Sequence, residues 1–79
     1  MGASMERIGI RTDTIQLDQF LKLAGAVPTG GAVKQLMLEN RILVNGVPET
    51  ARRKKLSPLD VVTLRLDGGE EEYQAVREE

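Results

Sequence analysis

The chain has 79 residues, a net charge of −1, and neither cysteine nor histidine. A chain of this length makes one domain, and at this size folding buries only about 60% of the surface the unfolded chain exposes. Without thiols or imidazoles there is no disulfide, no thiolate or imidazole metal site and no imidazole base, so no catalytic residue, metal ligand or cofactor is expected.

The opening residues, Met1 to Arg7, lack the basic-then-apolar pattern of a leader. No apolar run approaches the roughly 20 residues that span a bilayer. The expectation is a cytoplasmic protein with no membrane partner. Residues 1–5 and 77–79 are expected as loose tails around a core at 15–66. Ile8 and Ile10 alternate with polar or small neighbours, which predicts a short half-buried strand, and Asp13-Thr14 follows as a turn.

Leu17, Phe20, Leu21 and Ala24 fall at i, i+3, i+4 and i+7, the apolar stripe of a short helix that Gly25 ends. Thr29 is a candidate N-cap for a second helix, in which Val33, Leu36, Met37 and Asn40 repeat the spacing. Asn40 can take the left-handed conformation that closes a helix. Arg41 to Val44, Asn45-Gly46 and Val47 predict a tight hairpin, because both residues of such a turn need positive φ. Pro48 keeps the returning strand short or at an edge. Glu49 to Lys55 reads as a polar, basic loop and Leu56 to Asp60 as a turn. Val61 to Leu66 reads as a strand with Val62, Leu64 and Leu66 on one face. Asp67 to Glu70 reads as a turn, and Glu72 to Val76 as a last strand. The fold class is α+β: two helices, then a small, mainly antiparallel sheet.

Charge is unevenly spread along this order. Residues 41–65 hold Arg41, Arg52, Arg53, Lys54, Lys55 and Arg65 against Glu49 and Asp60. Residues 66–79 hold Arg77 against Asp67, Glu70, Glu71, Glu72, Glu78 and Glu79. A basic middle is masked by an acidic end, and a phosphate senses only the local field, since screening sets in within about 8 Å at physiological salt.

The stretch from Ile15 to Leu66 resembles the S4-type RNA-binding domain, and within that family the short stand-alone bacterial proteins. The resemblance is carried by Leu17-Asp18-Gln19-Phe20-Leu21-Lys22, Thr29-Gly30-Gly31 with Lys34, Leu43-Val44-Asn45-Gly46, Glu49-Thr50, Lys54-Lys55-Leu56 and Asp60-Val61-Val62. It implies a helix-turn-helix packed on a curled sheet (the αL motif of S4 domains), with RNA against the helices and adjoining loops and no catalysis. The chain departs from the family pattern at Asn40 and Leu59, where Gly is usual, and at Ala51, where Arg is common. Gly30-Gly31 lies near where many members open the second helix with Ser-Arg.

The chemistry of these residues fits such a partner. Arg52, Arg53, Lys54 and Lys55 are consecutive cations, and clustered cations bind RNA by releasing condensed counterions from its phosphates. The same run also reads as a solvated loop. Thr29, Gly30, Gly31 and Lys34 make a candidate phosphate site at a helix N-terminus, or else a loop that needs unusual backbone angles. Arg41, at the junction of helix and hairpin, either reaches a phosphate or stays solvated. Lys22 reads as solvated. Phe20 reads as core and Tyr73 as structural, which leaves no aromatic platform for single-stranded bases and favours a folded RNA read by shape. Glu70 to Glu72 reads as solvated charge that repels RNA from the wrong face.

The expected partner is therefore structured RNA, ribosomal or transfer RNA first, and with it the ribosome. A monomer with no small-molecule substrate is expected. The rival reading is a protein-interaction module using the sheet and the acidic end. A ubiquitin-like sulfur carrier fits poorly, because Gly68-Gly69 is followed by ten more residues.

Overall fold

The computed structural model describes residues 5–78, so the expected tail at 1–4 and Glu79 lie outside the described residues. The fold is α+β. In chain order the elements are β1 (Met5–Ile10), β2 (Ile15–Gln16), α1 (Leu17–Leu23), α2 (Gly30–Leu38), β3 (Ile42–Val44), β4 (Val47–Pro48), β5 (Lys55–Leu56), β6 (Val61–Leu66) and β7 (Gly69–Arg77). Five strands form one sheet in the order β1-β7-β6-β3-β4, and β2 pairs with β5 in a second, two-stranded sheet.

The larger sheet is mixed. Its β7–β6, β6–β3 and β3–β4 pairs are antiparallel. The first and last strands run parallel, with Ile8 opposite Ala75 and Ile10 opposite Arg77. The expected loose ends therefore need correction at Met5, Arg77 and Glu78. Met5 and Arg77 are strand residues, and the Glu78 N–H donates to the Ile10 carbonyl at 2.7 Å.

Both helices lay their apolar stripes on one face of this sheet. Leu17, Phe20, Leu21, Val33 and Met37 share a core with Ile42, Val44, Val62, Leu64, Tyr73 and Ala75. Leu36 and Ala24, at the margins of the two stripes, are only partly buried. Val62 and Leu64 are buried, but Leu66 is 38% exposed because β6 ends there, opposite Gly69, the first residue of β7. Leu43 is also buried, yet it stands apart from this core cluster. A strand residue flanked by inward-facing Ile42 and Val44 points to the opposite face of the sheet. Tyr73 is buried as expected of a structural residue, and its hydroxyl donates to Glu71 Oε1 at 3.3 Å.

Both helices close in the same way. In α1 the Ala26 N–H reaches the Leu21 carbonyl and the Gly25 N–H reaches that of Lys22, with Gly25 at φ 73°. In α2 the Arg41 and Asn40 N–H groups reach the Leu36 and Met37 carbonyls, with Asn40 at φ 56°. These are Schellman closures, and asparagine takes the left-handed position in the second.

The hairpin turn has Asn45 at φ 51° and Gly46 at φ 83°, the mirror-image turn whose twist suits the flanking strands. The Asn45 side chain does a second job. Its Nδ2 donates to Asp60 Oδ1 at 3.1 Å, and its Oδ1 accepts from the Val61 N–H at 3.0 Å. The other Asp60 oxygen accepts from the Ser57 N–H at 2.8 Å. The hairpin and the 57–60 turn are thus pinned together. That turn forces Leu59 to φ 79°, with a side chain 68% exposed.

Candidate nucleic-acid interface

The basic run owes its position to the way α1 begins. The first N–H groups of a helix have no partner within it. At α1 the residue before the helix, Gln16, supplies no side-chain cap. The main chain of the basic run does so instead: the Leu17 N–H donates to the Lys54 carbonyl at 2.8 Å and the Asp18 N–H to the Arg52 carbonyl at 3.0 Å. Immediately after, Gln16 pairs with Lys55 and Ile15 with Leu56, and the Leu56 side chain is fully buried. Lys55, read from sequence as loop, is therefore the first residue of β5.

Backbone bonds hold this segment, so its side chains are left for other partners. Glu49 shapes the approach, its Oε2 accepting from the Thr50 and Ala51 N–H groups at 3.1 and 2.9 Å. Arg52 Nε stands 4.0 Å from Asp18 Oδ2 and Lys54 Nζ 3.9 Å from Glu49 Oε1, both at the outer limit of an ion pair. Arg53 and Lys55 are exposed, and neither has an ion-pair partner among the described residues.

The start of α2 is built differently. Thr29 takes extended backbone and its Oγ1 accepts from the Ala32 N–H at 3.3 Å, the N-cap bond expected of it. Gly30 and Gly31 form the first turn, and neither has positive φ. A Cβ on Gly30 would meet nothing within 4 Å, and one on Gly31 only Thr29 Oγ1 at 3.7 Å. Neither backbone angles nor internal packing requires these glycines, which removes the reading of a loop under backbone constraint. They leave bare main chain at the first turn of α2. Lys34, one turn on, is exposed without an ion-pair partner among the described residues, and α2 packs against α1.

Arg41 behaves otherwise. Its Nε lies 2.7 Å from Glu39 Oε1, and its Nη1 lies 3.2 Å from Asp67 Oδ1 and donates to the Arg65 carbonyl at 3.1 Å. Hydrogen bonding to Asp67, and that carboxylate's charge, hold its guanidinium above the ordinary pKa. The Gln35 amide, followed by Arg41, holds the Glu39 carboxyl below its usual value. Arg41 ties the end of α2 to the β6–β7 turn, and its charge is matched by two carboxylates.

Two anchoring residues of the basic run, Asp18 and Glu49, were not singled out for that role in the sequence. Asp18 figured there only among the residues that carry the resemblance, and Glu49 among them and as the start of a polar loop. The one available signal was a pair of apolar residues set between polar neighbours, Ile15 between Thr14 and Gln16 and Leu56 between Lys55 and Ser57.

A two-helix unit on a small mixed sheet, with a cationic segment bonded to a helix start, is the arrangement expected of an S4-type domain. The chain belongs to the S4 domain family, whose profile matches residues 8–74. It is also similar to the probable ribosome maturation protein RlbA of Bacillus subtilis (strain 168), with 44% identity over 57 residues, covering 72% of this chain and 80% of that protein. Among the described residues there is no group of three or more acidic, His or Cys side chains that could hold a metal ion. No helix there is long and apolar enough to cross a membrane.

Proposed function

We propose that the protein binds structured RNA without catalysis, in the cytoplasm, and that its RNA is ribosomal during the maturation of ribosomes. The observation that carries this reading is the fixing of residues 52–56 to β2 and the start of α1 through main-chain atoms. Ordering four consecutive cations on one short segment is costly in self-repulsion, and a phosphate backbone is the partner that repays it. Arg53 and Lys55 are the primary phosphate contacts, with Arg52 and Lys54 free to leave their distant carboxylates. Thr29, Gly30 and Gly31 offer N–H groups at the start of α2, with Lys34 beside them. Arg41, clamped between Glu39 and Asp67, is left outside the primary contacts. The similarity to a ribosome maturation protein is what favours ribosomal over transfer RNA.

The test is a salt titration of fluorescence anisotropy on a ribosomal RNA hairpin. About three or four phosphate contacts predict a slope of log K against log salt of roughly −2 to −4. Changing Arg53 and Lys55 together to Ala should flatten the slope by about one to two, and weaken all RNA sequences alike. If that double variant, still folded, keeps wild-type slope and affinity, the run is solvated surface. The protein-interaction reading would then take its place.

A further inference from the structure

Beside the basic run lies a groove of about 570 Å³ between α1, the end of β1 and β5. We propose that this groove, walled by Arg11, Gln16, Gln19, Leu23, Lys55 and Glu78, receives one unpaired nucleotide of the bound RNA, base inward. The proposal rests on the RNA-binding reading and adds a base-reading site to its phosphate contacts.

Size and lining both suit a nucleotide. Small-molecule pockets run from about 300 to 1,000 Å³, so the space accommodates a base with its sugar. Gln19 and Leu23, at i and i+4 on α1, and Gln16, the β2 residue just before the helix, all line the groove, which gives it two amides and an isobutyl group that is 57% exposed. The Gln16 side chain caps nothing, and at Gln19 the main-chain N–H is engaged, by Asp18, but the amide is not. Each amide offers both donors and an acceptor, the complement of a base edge.

Lys55, Arg11 and Glu78 supply the charged groups of the lining. Lys55 is the unpartnered cation described above, and it joins the groove to the phosphate-binding run without a gap. Glu78 lines the groove together with Arg11. Its backbone N–H is held by the Ile10 carbonyl, and its side chain lies over β1 where Gly9 has no Cβ to obstruct it. A carboxylate there repels a second phosphate but accepts from the amino group of a base. Arg11 meets Glu78 at 3.5 Å with a side chain 85% exposed, leaving its planar guanidinium free to stack on a base. A groove that joins the unpartnered Lys55 to two open amides, a carboxylate acceptor and a stackable guanidinium fits a nucleotide held by its phosphate with the base inward.

The experiment uses two RNA hairpins of equal stem length, one fully paired and one with a single bulged 2-aminopurine. The wild type should bind the bulged hairpin about tenfold more tightly, the effect expected of one well-read base, and the 2-aminopurine fluorescence should change on binding. Gln16→Ala with Gln19→Ala should abolish both the preference and the fluorescence change while keeping affinity for the paired hairpin. Equal wild-type affinity for the two hairpins overturns the groove proposal and leaves RNA binding standing. So does a preference that survives in the double variant. If neither hairpin binds at low salt, the RNA reading fails and the groove proposal falls with it.

Discussion

At the end of α2, Arg41 sits between Glu39 and Asp67, while in the segment bonded to α1, Arg53 and Lys55 meet no carboxylate among the described residues. Arg65 and Arg77 follow the first pattern, paired with Glu70 and Asp13. The two regions use the same chemistry for different ends. Exposed ion pairs of the first kind add little stability, but they cancel the local field and tie a turn to a helix. The second region keeps its field and takes its order from main-chain bonds. A chain with net charge −1 can therefore present a cationic surface, because Asp13, Glu39, Asp67, Glu70 and Glu78 are matched to arginines outside the basic run.

The strongest way to break this contrast is to detach the basic segment from the core. Leu56 is the buried anchor of β5, next to Lys55. Leu56→Ala should cost about 2–5 kcal/mol, a large share of a small domain's stability. Denaturant unfolding checks this, and near-normal stability would show that Leu56 does not anchor the segment.

Charge reversal separates the two kinds of cation more sharply. Arg53→Glu with Lys55→Glu should weaken binding of a ribosomal RNA hairpin by about a hundredfold at low salt, since it removes two phosphate contacts and adds two repulsions. Arg41→Gln should leave that affinity nearly unchanged and lower the thermal midpoint instead. Anisotropy and thermal unfolding on both variants decide the matter. A large loss of RNA affinity in Arg41→Gln would place Arg41 in the interface after all.

How much of this was legible in the sequence depended on range. Both helix stripes, the Thr29 cap, the left-handed Asn40 and the Asn45-Gly46 turn are local, and each appears where its residue pattern put it. The parallel pairing of β1 with β7 joins Ile8 to Ala75, at opposite ends of the chain, and no short pattern encodes such a partner. The β2–β5 pair is only two residues long and was hidden inside a helix lead-in and a charged run. The same limit applied to the site. Composition pointed to the basic residues, but the separation of Arg41 from Arg53 depends on Asp67, which approaches Arg41 only once the β6–β7 turn has formed.

A smaller effect sharpens the account of the fold beneath the basic segment. Leu59 at φ 79° pays the steric penalty of left-handed backbone, about 1–2 kcal/mol for an ordinary residue. Its side chain is mostly exposed, so little packing is lost on truncation. Leu59→Gly removes the strain but loosens the unfolded chain by about 0.5–1 kcal/mol, leaving a net stabilisation of about 0.5–1 kcal/mol. Denaturant unfolding should show a higher midpoint with an unchanged slope. A lower midpoint would mean that the Leu59 side chain contributes more than its exposure suggests. RNA affinity should not change, since the 57–60 turn lies outside the proposed surface.

The smallest effect tests the Arg41 clamp by pH. The Gln35 Nε2 donates to Glu39 Oε2 at 2.8 Å and Arg41 engages the other oxygen, so the folded state favours the carboxylate. A carboxyl whose pKa is depressed by folding contributes stability that is fully present above its unfolded pKa. That contribution fades as pH falls through the folded value. The clamp should therefore loosen in acid, below the ordinary glutamate range, while at neutral pH it is complete. An NMR titration of the side-chain carboxyls should find Glu39 among the lower glutamate values, and Gln35→Leu should move it back upward. The same variant should leave the salt slope of RNA binding at neutral pH unchanged, because the basic segment draws no support from Gln35. A Glu39 that titrates like a free glutamate in the wild type would mean the clamp is not formed in solution. Arg41 would then be matched by Asp67 alone, and the contrast with Arg53 would weaken.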